Sequence, residues 1–163
     1  MSKRGPQSLT PAVRDDLLFW ITMLNHASHQ GVDINNITFT KPTLVVISDA
    51  CEHGLGGYDM NGLAWRYMLP PDLIGAFSIN LLEFIASAIT IHLSLAASSS
   101  PQKILAYTDS SSALGWLYKA SFSSSMPAHD KVARWLALEL MSYDSALYSQ
   151  HIRGLHNIIA DSL

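Results

Sequence analysis

The chain has 163 residues, of which 48% are hydrophobic and 14% are charged, and its formal net charge is −3. This composition predicts a globular domain with an apolar core and excludes a disordered chain. Only ten lysines and arginines are present, which excludes the strongly basic surface of a protein that holds nucleic acid by charge alone. Either nucleic acid is not the partner, or another module supplies most of the binding.

The first predicted element is a helix that begins at Pro11, after a capping Thr10, and ends near Ala27. Its apolar residues recur at helical spacing, which predicts one apolar face. Residues 28–41 are predicted to form a loop. We therefore divide the chain into a linker or connection segment with one helix, residues 1–42, and a second domain, residues 43–163.

The second domain is predicted to alternate strands and helices. The predicted strands are 43–48, 55–59, 63–68, 103–108 and 146–152, and the predicted helices are 79–97, 111–120, 128–143 and one that begins at Asn157. The dipeptide Asn61-Gly62 predicts a hairpin between the second and third strands. This order predicts an α/β fold with a mixed five-stranded sheet and helices on both faces.

Two other features limit the location of the protein. The apolar stretch 79–97 contains Asn80, Glu83 and His92, so we expect a core helix rather than a membrane span. The single cysteine, Cys51, excludes an internal disulfide and a cysteine-rich zinc site. With no apolar signal sequence near the start, these features predict an intracellular protein without a membrane partner.

Two predicted central strands end in an aspartate, Asp49 and Asp109. Because the ends of neighbouring strands meet at one edge of a sheet, these carboxylates should lie close together and repel each other. Oxygen ligands of this kind suit Mg²⁺, and paired Mg²⁺ ions hydrolyse phosphodiesters. Glu83, in the long helix, and Asp161, in the last helix, are candidates for the same site.

Each acid also has a structural explanation. Asp49 could close a strand, Asp109 could cap the next helix, and Asp161 could lie on the surface. Glu83 could complete a capping box with Asn80. A polar stripe at helical spacing, which would normally face water, includes Glu83; its members are Asn80, Glu83, Ser87 and Thr90.

The four acids occur in motifs that resemble those of the ribonuclease H family, in the family's order. The motifs are Ser48-Asp49-Ala50, Leu82-Glu83-Phe84, Tyr107-Thr108-Asp109-Ser110 and Asn157-Ile158-Ile159-Ala160-Asp161. The closing stretch 151–163 is similar to that of retroelement enzymes of the LTR or tyrosine-recombinase type. More weakly, residues 9–24 resemble the segment that joins polymerase to ribonuclease H in those polyproteins.

The resemblance implies an endonuclease that cuts the RNA strand of RNA–DNA hybrids. Asp49, Glu83, Asp109 and Asp161 would hold two Mg²⁺ ions, for which Mn²⁺ could substitute. His151, ten residues before Asp161, would assist proton transfer or product release, although His156 is an alternative. The implied partners are the hybrid and the polymerase domain of the same polyprotein, in the cytoplasm, a virus-like particle or the nucleus.

The chain departs from the family in two respects. It has no lysine-rich helix for holding the hybrid, and the given sequence stops two residues after Asp161. A weakly active or inactive scaffold on the same fold is therefore the alternative. A proofreading-type exonuclease is disfavoured, because the spacing of Asp49 and Glu52 differs from its Asp-x-Glu motif.

Overall fold

The computed structural model describes residues 8–32, 38, 40–119, 122, 126–153 and 157. The chain divides into two compact units, residues 1–32 and 33–163. Our sequence-based boundary at residue 42 stays a prediction.

The first unit contains helix α1, Pro11–Gln30, which is three residues longer than predicted. Thr10 caps it as expected, since its hydroxyl accepts a hydrogen bond from the Val13 amide. None of the residues of α1 is buried, and most of its large apolar side chains are exposed, although Phe19 and Met23 are partly buried.

The second unit is built on a five-stranded mixed sheet, as predicted. Its strands are β1 Leu44–Cys51, β2 Gly54–Asp59, β3 Ala64–Met68, β4 Lys103–Thr108 and β5 Ala146–His151. Their order across the sheet is β3-β2-β1-β4-β5. The pairs β1–β2 and β2–β3 are antiparallel, whereas β1–β4 and β4–β5 are parallel. The long β-branched run of β1 occupies the centre of the sheet, between β2 and β4.

The predicted hairpin joins β2 to β3. Gly62 has a φ of +105°, a conformation that favours glycine. The Asp59 carboxylate accepts hydrogen bonds from the amides of Asn61 and Leu63, at 2.8 and 3.1 Å. These contacts fix the turn and therefore the register of the two strands.

Three helices supply the rest of the described core: α2 Ile79–Ala96, α3 Ser111–Lys119 and α4 Pro127–Ser142. Their apolar residues meet one face of β1 and β4, where Leu44, Val46 and Ile104 are at most 1% exposed. Helices on the second face stay a prediction, since residues 158–163 lie outside the described part.

Helix α2 is long and apolar enough to cross a membrane by length and composition alone. However, 61% of the helix is buried within the fold, where it packs against β1 and β2. Burial of this kind is typical of a core helix, which agrees with the interpretation from the sequence.

Candidate metal centre

Three of the four predicted acidic residues come together in the structure. Asp49 in β1, Glu83 in α2 and Asp109 directly after β4 each place a carboxylate oxygen within 4.8 Å of the other two. The parallel pairing of β1 with β4 explains the position of both aspartates, because it aligns Ile47 with Tyr107 two residues before them. Asp161 lies outside the described residues.

Asp49 lies within β1 and not at its end. The strand continues to Cys51, so the prediction that it ends at Asp49 was wrong. The reason is tertiary, since Asp49 pairs with Gly56 of the neighbouring antiparallel strand and the pairing extends to Cys51 and Gly54. The rigid backbone of a central strand therefore holds the Asp49 carboxylate.

Glu83 lies in the second turn of α2 and is only 7% exposed. The predicted capping box with Asn80 is wrong, because Ser78 caps the helix and its hydroxyl accepts from the Leu81 amide. Counted from Ser78, Glu83 is the fifth residue of the helix, whereas a capping box needs an acid at the third. Its burial beside two aspartates leaves no ordinary capping role for it.

The polar stripe of α2 faces the sheet rather than water. Ser87 and Thr90 are at most 1% exposed, although Asn80 is exposed as expected. The Ser87 hydroxyl shares a 2.8 Å hydrogen bond with Ser48, the residue before Asp49. Partners supplied by the sheet thus make burial of these hydroxyls acceptable. The expectation of a water-facing stripe was wrong.

Asp109 is the first residue after β4, as predicted, and it does not cap α3. Ser110 does so, because its hydroxyl accepts a hydrogen bond from the Ala113 amide. The Thr108 hydroxyl accepts from the Ser110 amide, which fixes the turn on which Asp109 lies. The Asp109 carboxylate is therefore left to the acidic cluster.

His151 ends β5 and reaches the same turn. Its Nε2 lies 3.0 Å from the carbonyl oxygen of Asp109. Because a carbonyl oxygen only accepts, Nε2 carries the proton in this contact, and Nδ1 is the remaining acceptor of a neutral ring. The contact brings His151 to the residue that bears one of the three clustered carboxylates.

The competing histidine, His156, lies outside the described residues. Asn157 is fully buried, and neither polar atom of its side chain has a hydrogen-bond partner among the described residues. Such a group is costly to bury alone. Its role as a helix cap stays a prediction.

The charge of the cluster has a physical consequence. At separations within 4.8 Å, each ionised pair of carboxylates repels by about 3 kcal/mol or more at an effective dielectric constant of 20. A bound cation removes this cost, whereas protonation of a carboxyl would remove it without a ligand. Three oxygen donors of this type suit a hard cation such as Mg²⁺, so the residues present fit the implied metal.

Sequence reasoning found the three acids but missed the residues that support them. Ser48 and Ser87 join β1 to α2 at the level of the cluster. The sequence offered one signal for them. A small polar residue, Ser48, stands beside Asp49, and another, Ser87, follows Glu83 by four residues. The sequence does not show how α2 packs on β1, so the contact between Ser48 and Ser87 could not be inferred from it.

No known protein-family profile matches the chain, and no curated protein sequence matches it. Solved structures do match. Ribonuclease H1 from the halophilic archaeon Halobacterium salinarum is 15% identical, with a TM-score of 0.55 over 74% of this chain and 92% of that one. The chain has the ribonuclease H fold.

Parts of two foamy viral structures are also similar to the chain. The protease-reverse transcriptase dRH in complex with double-stranded DNA is 16% identical, with a TM-score of 0.37 over 91% of this chain and 28% of that one. The protease-reverse transcriptase with double-stranded DNA is 14% identical, with a TM-score of 0.34 over 91% and 31%.

Proposed function

We propose that the chain is a Mg²⁺-dependent ribonuclease H that hydrolyses the RNA strand of RNA–DNA hybrids. The observation that carries the proposal is the meeting of Asp49, Glu83 and Asp109 within 4.8 Å on a ribonuclease H fold. These acids come from three separate elements, and an ordinary surface does not require them to converge. As a fold alone does not establish an activity, the acids are the decisive part.

The chain's own residues would act as follows. Asp49, Glu83 and Asp109, with Asp161 as a proposed fourth ligand, would hold two Mg²⁺ ions, which Mn²⁺ could replace. Such ions, once bound, would activate a water molecule and stabilise the leaving oxygen of a phosphodiester. His151 holds its Nε2 proton on the Asp109 carbonyl and keeps Nδ1 available to take a proton near the leaving group.

The proposal includes a context. We infer a reverse transcriptase of a retroelement, with the polymerase domain of the same polyprotein as partner and an intracellular location in the cytoplasm, a virus-like particle or the nucleus. The motifs around the four acids and the closing stretch support this context. Recognition of the hybrid would depend on its shape and on the RNA 2′-hydroxyls, so little sequence preference is expected.

The test is the substitution Asp109→Asn, which keeps the size of the side chain and removes its charge. We expect hydrolysis of a labelled hybrid in Mg²⁺ to fall by at least about 100-fold, since a ligand to the proposed ions is lost. Asp72→Asn, at an exposed acid in the loop before α2, is the matched control and should retain full activity. Equal activity of Asp109→Asn and the wild type would refute the mechanism.

An inactive scaffold on the same fold is the second candidate, and the low number of lysines and arginines favours it. Titration with Mg²⁺ or Mn²⁺ separates the two. A ligand of the native state raises the melting temperature by mass action, so the nuclease proposal predicts a saturable rise in the wild type and a smaller one in Asp109→Asn. No rise at millimolar metal would favour the scaffold.

A further inference from the structure

A cavity of about 180 Å³ lies among α2, α3, α4 and β5, and it is partly open to solvent. Its walls include Phe84 of α2, Trp116 of α3, Leu136 and Ala137 of α4, and Leu147 of β5. Every side chain of the lining set is apolar apart from the indole N–H of Trp116. The cavity lies on the core side of the sheet and is lined by none of the three clustered acids.

The lining chemistry limits what the cavity takes up. The side chains of the walls offer an ion no counter-charge and almost no hydrogen-bond partners, so the cavity favours an uncharged, largely apolar occupant. An apolar cavity of about 150 Å³ is known to stay dry and to bind benzene. The cavity in this chain is of similar size, at about 180 Å³, but it is partly open to solvent, so an aromatic occupant would displace water from it.

Aromatic walls favour an aromatic occupant. The Phe84 and Trp116 rings already meet edge to face, with centroids 5.9 Å apart and an interplanar angle of 68°. Ring pairs in such arrangements gain energy beyond the area that they bury. A flat, uncharged ring placed against these walls would make contacts of the same type.

We propose that this cavity is a binding site for small uncharged aromatic molecules of the size of benzene or indole. The opening to solvent allows entry without unfolding of the domain. Charged analogues are expected to bind more weakly, because the walls hold no counter-ion. The proposal is independent of the nuclease proposal, and failure of either leaves the other intact.

The experiment uses indole and benzene as probes and the full chain as the protein. We expect a saturable rise in melting temperature, by several degrees when the ligand reaches about 100 times its Kd. Ligand-to-protein nuclear Overhauser effects should appear at the methyl groups of Leu136 and Leu147. Benzoate, which has the same ring and a negative charge, should bind more weakly than benzene in both measurements.

The variant Ala137→Leu places a larger side chain in the cavity and should reduce indole affinity by at least about 10-fold, because it occupies the space of the ligand. Leu138→Ala is the control, since this neighbour on α4 is 38% exposed and is absent from the lining. Unchanged affinity in a folded Ala137→Leu variant would overturn the location. Should that variant not fold, the Overhauser contacts in the wild type decide, and their absence at saturating indole overturns the proposal.

Discussion

Gly57 is a position at which the fold has no room for a side chain. It lies in β2 opposite Ser48, and a Cβ atom built there would fall 2.1 Å from the Thr90 hydroxyl oxygen and 3.1 Å from the Ile47 carbonyl oxygen. Strand and helix can therefore approach closely only where a glycine stands between them. Gly57 provides that close approach.

We expect Gly57→Ala to lower the free energy of unfolding by about 1–3 kcal/mol, as overpacking of a core does. Urea denaturation measures the loss. Gly115→Ala is the matched control, because no atom lies within 4 Å of its Cβ position in α3. Alanine there should stabilise the helix by about 0.5–1 kcal/mol. A Gly57→Ala variant as stable as the wild type would contradict the close approach.

At the scale of elements, α3 and α4 meet through a cluster of rings. His129, in the first turn of α4, packs edge to face on Trp116 of α3, with ring centroids 4.4 Å apart. Its Nε2 is buried and has no hydrogen-bond partner within the described residues. Burial lowers the pKa of His129 below its usual value of 6.5. The positive end of the helix dipole disfavours a protonated ring as well.

The lowered pKa predicts how stability depends on pH. The unfolded chain binds a proton at His129 more readily than the folded chain, so folding is favoured fully above about pH 6.5 and less as the pH falls toward the folded pKa. The free energy of unfolding should therefore decrease over that interval. Denaturation at a series of pH values measures it.

His129→Phe should remove this part of the pH dependence, because the ring remains and its titration does not. His53→Gln, at an exposed position in the turn between β1 and β2, serves as the control and should leave the profile unchanged. A wild-type profile with the same slope as His129→Phe would show that His129 makes no contribution.

The sequence predicted most elements because their signals are local. The β-branched run of β1, the Asn61-Gly62 turn and the apolar spacing of α2 each depend on near neighbours. The orientation of Ser87 and Thr90 depends instead on partners that arrive from the sheet. The Thr90 hydroxyl accepts a 3.0 Å hydrogen bond from Trp65, which is 25 residues away in the chain. Such contacts are invisible until the register is known.

In the candidate site, too, some features could be predicted from the sequence, and others depend on contacts between distant residues. The spacing of four motifs gave the acids, and the structure places three of them together. Two local interpretations failed. The capping role of Glu83 failed because α2 begins two residues earlier than that role requires, at Ile79 after a Ser78 cap. The strand end at Asp49 failed because pairing with β2 prolongs β1.

At the scale of the whole molecule, charge limits how the chain holds nucleic acid. Its net charge is −3, and it carries ten lysines and arginines, of which Arg134 pairs with Asp130 at 2.6 Å. Few cations are thus available to neutralise phosphates. Under the proposed function, another part of the reverse transcriptase would provide much of the affinity.

We expect the isolated chain to bind an RNA–DNA hybrid weakly, with a Kd above about 1 μM at physiological salt, as non-specific contacts do. Fluorescence anisotropy with a labelled hybrid measures it, in Ca²⁺ so that the hybrid remains intact. Affinity should rise as salt is lowered, because the remaining contacts are ionic. Nanomolar binding at physiological salt would contradict the prediction.

The hydroxyl contacts between α2 and the sheet determine how precisely the Glu83 carboxylate is positioned. A helix that packs on a sheet through apolar contacts alone can shift along the sheet or rotate about its own axis, because such contacts have no preferred direction. Ser87 and Thr90 remove that freedom, because directional bonds to Ser48 and Trp65 break if the helix turns. Glu83 stands one turn before Ser87, so the same bonds set the rotational phase at which its carboxylate meets the two aspartates.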